Sequence, residues 1–359
     1  MNTTPSRILD PSEYGWWSAA AATTIALIAI FGAVIFASSV LIPVASAFFI
    51  MAIVWPLQNK LQSRIPKLAA VAIVLLVTVM GLLTFASLTA WAFGRVGRWL
   101  VSDGGRFQQL YEQTVAWLEA RGIGVASLWA EHFNLRWLIR VAQEVTARLR
   151  TTVGFWLVAL VYVMLGLLEV DDFGRRVRAF PNPVVARVLL EGGALSAAKL
   201  RRYMLIRTLM SIATGALVWV LAALAGLQFA AEWGVIAFVL NYIPFIGPFF
   251  ATLFPTVFAL AQFASWQAGL AIFACLNVIQ FVLGSYLEPR IAGNALAISP
   301  FVVLFAVFFW ALLWGLFGAF LGVPITIVLL TFCSQHPASR WLAHLFGACG
   351  EDGPPTERG

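Results

Sequence analysis

AEWGVIAFVLNYIPFIGPFFATLFPTVFALAQ, running from Ala231 to Gln262, carries one charged side chain, Glu232, in a stretch long enough to cross a bilayer. Near its middle stands Asn241-Tyr242-Ile243-Pro244-Phe245-Ile246-Gly247-Pro248, two prolines and a glycine among apolar neighbours. Proline lacks the backbone donor and clashes with the turn before it, so a helix must break there. Hydrocarbon offers no water to replace the lost hydrogen bonds, and such a break survives only against protein or a wet cavity. The stretch predicts a polytopic, all-α membrane protein in which at least one membrane segment is interrupted.

Composition outside this stretch agrees. Of 359 residues, 61% are apolar and 11% charged, and the mean hydropathy is +0.90. An ordinary soluble domain has roughly 45–50% and 25%, so a soluble enzyme, a secreted disulfide scaffold and a disordered chain are excluded. The net charge of +7 rests on 23 basic residues, nearly all Arg. This bias hints at a GC-rich bacterial source. Cytoplasmic loops of membrane proteins collect Lys and Arg, so the charge calls for no nucleic acid. Cys275, Cys333 and Cys349 have neither disulfide nor metal spacing, and His132, His336 and His344 are the remaining metal-prone nitrogens. HExxH, GxSxG and GxxxxGK[ST] motifs are absent. We therefore expect no enzyme, no metal and no cofactor.

Hydropathy divides the chain. The first apolar run splits near Ala37-Ser38-Ser39 into helices over about 19–36 and 39–56, the second ended by Pro56 and Gln58-Asn59-Lys60. A run this long is not a removable signal. Further spans are expected at about 68–93, 152–168 and 207–227, with apolar runs near 231–262, 268–287 and 299–333. This gives a tail 1–18, three spans within 19–93, a polar insert 94–150, a transport core 151–333 and a tail 334–359. The insert shows two amphipathic faces, one with Phe107, Leu110, Tyr111, Thr114 and Leu118, the other with Leu135, Leu138, Ile139, Ala142, Val145 and Leu149. The basic 57–68 loop and the 170–206 stretch belong in the cytoplasm, with both tails; the insert is then external. On that topology 231–262 fits a re-entrant hairpin, and the last run passes out and returns near Gly318.

Polar residues in apolar runs nominate a pathway. A second interrupted run, Trp314 to Pro324, holds Gly315, Gly318, Gly322 and Pro324. Paired Gly/Pro-interrupted segments point to a transport site, although glycine faces serve equally for helix packing. Asn277, Gln280, Gly284 and Glu288 are spaced for one helical face. Glu288 and Arg290 read either as a functional charge pair or as a pair at the headgroup boundary. The candidate pathway residues are Asn241, Tyr242, Pro244, Gly247, Pro248, Asn277, Gln280, Glu288, Arg290, Gly318, Gly322 and Pro324. Thr208, Ser211 and Thr214 share a face but are weaker candidates; Glu169 and Glu232 are expected to be solvated, and Arg201, Arg202 and Arg207 to meet lipid headgroups.

The motifs NYIPFIGPFF (Asn241 to Phe250) with Pro255, LEPRIAGNAL (Leu287 to Leu296), Ser299-Pro300 and GLFGAFLGVP (Gly315 to Pro324) occur in an order that resembles the autoinducer-2 exporter family of bacterial permeases. LIPVASAFFIMAIVWPL (Leu41 to Leu57) is similar to that family's second span. The resemblance implies about eight membrane segments in the bacterial inner membrane, a homo-oligomer, and export of a small polar solute, with H⁺ or Na⁺ as coupling ions in some members. The expected function is a secondary exporter driven by a gradient rather than ATP. A Na⁺(Li⁺)/H⁺ antiporter and a non-transporting membrane scaffold are the alternatives.

Overall fold

The computed structural model describes residues 11–102, 120–121, 135–292 and 298–347. Within them the chain is helical: α1 (Pro11–Phe36), α2 (Ser38–Gln62), α3 (Lys67–Ser102), α4 (Leu135–Arg178), α5 (Pro183–Leu224), α6 (Ala230–Leu240), α7 (Ile246–Phe263), α8 (Trp266–Gln280), a π-helical turn (Phe281–Leu287), α9 (Glu288–Ala292), α10 (Pro300–Gln335) and α11 (Arg340–Leu345). Eight helical stretches are long and apolar enough to cross a membrane, among them Ser18–Phe36 and Trp266–Ile291. An all-helical chain is what hydrocarbon imposes, since a helix satisfies its own backbone.

Several helices outrun their apolar segments. α2 passes through Pro56 to Gln62, and the fully buried Gln58 donates from Nε2 to the Leu167 carbonyl of α4 at 3.0 Å. α3 continues beyond Phe93 to Ser102, and α4 runs unbroken from Leu135 into its apolar segment and on to Arg178. The 170–206 stretch is therefore two helix ends joined by a short turn, not a loop. Asn182 caps the second, its Oδ1 accepting from the Val184 and Val185 amides at 2.9 and 3.3 Å, with Pro183 in the first turn. Arg, Lys and Glu are good helix formers in water, so hydropathy marks where the bilayer stops while the helix carries on. The first amphipathic face of the insert lies outside the described residues; the second falls on the helical start of α4.

Two helical hairpins, rooted at opposite ends, organise the rest. One end is marked by Lys67 of α3 bonded to Asp171 of α4 at 2.8 Å, with Arg175, Arg176 and Arg178 beyond it. This is the basic end. At the far end α5 stops at Leu224, Phe229 takes φ 61°, and α6 doubles back along α5. The two helices touch at Gly215 and Gly234, where a Cβ on either would stand 2.8 Å from the other's carbonyl oxygen. α6 has 11 residues, a rise of about 16 Å, or roughly half of a 30 Å hydrocarbon core. The chain then reverses at 241–245 and returns as α7. Gln262 ties the roots of this first hairpin together: Nε2 donates to the Gly226 carbonyl at 2.8 Å, and Oε1 accepts from the Gln228 amide at 2.7 Å.

The second hairpin is α10 itself. Gly315 has φ 62° and ψ −139°, and beyond it the helix folds back on its own first arm. A Cβ on Gly322 would meet the Ala306 carbonyl oxygen at 2.8 Å, and one on Gly318 would collide with that of Trp310. The turn lies at the far end, where Phe317 packs on Phe155 of α4 at 4.4 Å between ring centroids. Phe332, near the other extremity, covers Gly192 of α5 on the basic side. The hairpins thus enter from opposite ends and pack side by side. Tyr242 at the first tip faces Phe320 of the second at 6.3 Å, and Ile243 and Ile246 share a core with Val307, Ala319 and Leu321. A separate core at the far end gathers Trp233, Ile236, Phe258 and Leu276, with Trp99 of α3 4.5 Å from Phe258.

Candidate functional site

The tip of the first hairpin is where the helical ladder fails. Asn241 and Ile243 donate back to Ala237 and Leu240 at 3.0 Å each, ending α6. Phe245 then takes φ 62°, and the Ile246 amide closes a γ-turn on the Pro244 carbonyl at 2.7 Å. Gly247 donates to Ile243 at 2.9 Å and lies so close to the Leu240 carbonyl that a Cβ there would overlap it. Among the described residues, no backbone amide bonds the carbonyl oxygens of Asn241 or Tyr242. A left-handed phenylalanine beside two free carbonyls is the kind of local strain that packing must hold in place.

α5 supplies that hold. Asn241 donates from Nδ2 to the Ser211 hydroxyl at 3.2 Å, and both residues are buried. The Tyr242 hydroxyl bonds Thr208 Oγ1 at 3.1 Å, while its ring meets the edges of Phe238 and Phe85 at 5.5 and 5.7 Å. Ser211 and Thr208 thereby fix the two polar side chains of the break.

Beside this anchor lies the only ion pair among the described residues that joins α5 to the α8–α9 segment. Arg207 donates from Nη1 to both oxygens of Glu288, at 2.7 and 2.9 Å. The Arg207 side chain is 6% exposed and that of Glu288 27%. Tyr203, one turn earlier on α5, is buried too, beside the Arg207 guanidinium.

The expected Glu288–Arg290 pair is not formed. Residues two apart on a helix face different ways; Glu288 turns to α5, and Arg290 lies over the Tyr286 ring at 4.7 Å on the exposed side. The four-residue stripe is also divided. Asn277 and Gly284 are exposed, Asn277 bonding its own helix at Phe273 (2.8 Å), whereas Gln280 and Glu288 are partly buried. Between them the Phe281–Leu287 turn follows π geometry, whose wider turns spoil an α-helical register. Asn241, Tyr242, Pro244, Gly247 and Pro248 come together at the tip, with Glu288 beside them through Arg207. Gly318, Gly322 and Pro324 lie buried in the second hairpin, where the glycines serve close contact between its arms.

Two residues depart from their expected surroundings. Arg207 is not at the headgroups but in the interior, while Arg201 donates to the Ala52 carbonyl at 3.0 Å. Glu232 is not solvated: it is 3% exposed and bonded to Arg95 of α3 at 2.8 Å. Its place in the first turn of α6, where the helix dipole favours an acid, was the one signal for it in the sequence. No group of three metal-ligating side chains occurs among the described residues.

Comparison with known proteins agrees with this architecture. Residues 24–337 match the model of the AI-2E family transporters. The AI-2 transport protein TqsA of Escherichia coli (strain K12) is 28% identical over 313 residues, covering 86% of this chain and 90% of TqsA. PerM of the same strain is 26% identical over 86% of this chain and 91% of its own length, and YhhT 32% over 53% and 54%. With eight long apolar helices among the described residues, the chain is a multi-pass protein of the inner membrane.

Proposed function

Because the chain belongs to the AI-2E family of transporters, we propose that it is a secondary exporter of a small polar solute, with autoinducer-2 the first candidate in view of its likeness to TqsA. The observation that carries this reading is the first hairpin's broken tip, with free carbonyls, beside a buried Arg207–Glu288 pair and a second hairpin entering from the other end. Free carbonyls and helix ends at mid-membrane depth can replace the water that a solute gives up. Glu288 and Arg207 form the charge pair whose closing and opening distinguishes the two access states.

The sequence has no phosphate-binding loop, so the driving force is an ion gradient or the solute's own. The basic end is assigned to the cytoplasm, the insert to the outside, and the apolar outer helices to lipid and to neighbouring copies in a homo-oligomer. The test is solute uptake into everted vesicles. Compared at equal amounts of protein in the membrane, Glu288→Gln loses most of the uptake; unchanged flux per molecule would remove Glu288 from the mechanism. A Na⁺(Li⁺)/H⁺ antiporter is the second reading, favoured by the single carboxylate beside the tip. Fluorescence dequenching in acid-loaded vesicles on adding Na⁺ or Li⁺, with no solute present, would establish it.

A further inference from the structure

The two arms of α10 are unequal. Residues 316–335, beyond the turn at Gly315, rise about 30 Å, whereas residues 300–314 before it rise only about 22 Å. A hydrocarbon core is about 30 Å thick, so from the shared turn only the second arm reaches across. The foot of the first arm, at Ser299, stops short of the level that Gln335 attains.

α11 fills the space this leaves at the basic end. Where the chain turns after α10, the Ser339 hydroxyl donates to the Cys333 carbonyl at 3.0 Å and Arg340 Nε to that of Ser334 at 3.4 Å. α11 (Arg340–Leu345) then leads to Phe346, whose carbonyl accepts the Ser299 amide at 3.3 Å. One short helix is thus bonded to both feet of the second hairpin, and it satisfies an amide at the start of the first arm that no turn of α10 can.

The two sides of α11 differ. It packs on α10, and Ala343 is fully buried, while Trp341 and Leu345, four residues apart and on the opposite side of the helix, are 61% and 67% exposed. Phe301, Phe305, Phe308 and Leu312 on the first arm are exposed as well, at spacings that make one apolar stripe. That stripe runs down to the foot that α11 closes. Arg340, also exposed, stands at the start of α11. A tryptophan at the level where a bilayer ends has a preferred neighbour, the boundary of headgroups and acyl chains, which accepts its ring and its N–H together.

We infer that α11 is an in-plane anchor: Trp341 and Leu345 enter the phospholipid leaflet at the basic end, at the boundary of headgroup and acyl chain, with Arg340 beside the phosphates. Lipid is the occupant because the first arm ends inside the leaflet's surface and its exposed aromatic stripe continues to that point. Holding α11 fixes both feet of the second hairpin to one leaflet, whereas the first hairpin is rooted at the other end. The anchor does not depend on the transport reading.

The test uses the full chain with Cys275, Cys333 and Cys349 replaced by alanine and a single Leu345→Cys carrying an NBD fluorophore. The vesicles are of phosphatidylethanolamine and phosphatidylglycerol. A helix at this boundary lies shallow, so a doxyl group at acyl carbon 5 quenches at least about twofold more than one at carbon 12. The same label at Phe305→Cys, in the middle of the first arm, shows the reverse order. Aqueous iodide quenches the label less at Leu345→Cys than at Arg176→Cys, which lies beyond the Lys67–Asp171 pair. Where Leu345→Cys does not assemble, Trp341→Cys takes its place. Iodide quenching equal to that at Arg176→Cys, with none from doxyl lipid, would put α11 in water and overturn the anchor. Protection from both quenchers would mean that another segment or a second copy of the chain covers this face, and would overturn it equally.

Discussion

Arg207 cannot change its charge and sits where a lone guanidinium would be costly. With Glu288 present, both carboxylate oxygens accept from Nη1. With Glu288 neutralised, the cation remains buried and loses its partner, a change that costs about 3–5 kcal/mol in comparable buried pairs. Replacing both partners removes the problem. Glu288→Gln is therefore expected to lower the thermal unfolding midpoint in detergent, and Arg207→Met combined with Glu288→Gln to recover most of it. Neither variant recovers uptake if the pair serves transport. A double variant that is stable and also transports would make the pair a structural brace. This partnership was not legible in the sequence. Glu288 was conspicuous as a carboxylate in an apolar run, but its partner lies 81 positions away, and no local spacing reports a contact between α5 and α9. Glu232 was misread for the same reason: whether an acid at a helix start is solvated depends on Arg95, which another helix brings.

At the scale of elements, the two reversals rest on different physics. The first tip is overdetermined, because Pro244 stands in the break, Pro248 is accommodated in the first turn of α7, and side chains from α5 pin the reversal. The second depends on one residue. Gly315 combines φ 62° with ψ −139°, a region essentially closed to residues with a Cβ at a cost of about 1–3 kcal/mol. Gly315→Ala should lower the unfolding midpoint in detergent, whereas Gly284→Ala, whose Cβ would meet nothing within 4 Å, should leave it unchanged or slightly raised. Equal midpoints would mean that α10 can turn elsewhere. Breaks of the first kind are plain in a sequence because proline and glycine act locally. Gly315 was visible only as one member of a glycine-rich run, in which Gly318 and Gly322 turn out to serve packing between the arms. Helix lengths were hidden altogether, since hydropathy reports the solvent around a helix and not the helix: α4 and α5 pass out of their apolar segments without a break in hydrogen bonding.

Across the whole molecule, one hairpin is rooted at each end, so on the proposed transport reading each access route is closed by a different set of contacts. At the far end the first hairpin is held to α3 twice. Trp99 packs on Phe258 and Phe229 at 4.5 and 6.3 Å, and Arg95 reaches Glu232 while lying 5.8 Å from the rings of both Trp91 and Phe229. Dispersion contacts of this kind fail together once the surfaces part, and parting Arg95 from Glu232 leaves a buried carboxylate without its partner unless water follows it in. On that reading, solute leaving the tip toward the far end must separate these surfaces or pass between the helices they join. If α6 parts from α3 in each cycle, then Arg95→Cys with Glu232→Cys, bridged by a short bifunctional methanethiosulfonate across the gap the native side chains span, should stop uptake in vesicles. Reduction of the bridge should restore it. Each single cysteine treated alike should keep the flux of its untreated form, which separates restraint from mere loss of the ion pair. Undiminished uptake with the bridge in place would show that α3 and the first hairpin move as one body, and would shift the moving boundary to the contact between Tyr242 and Phe320, where the two hairpins meet.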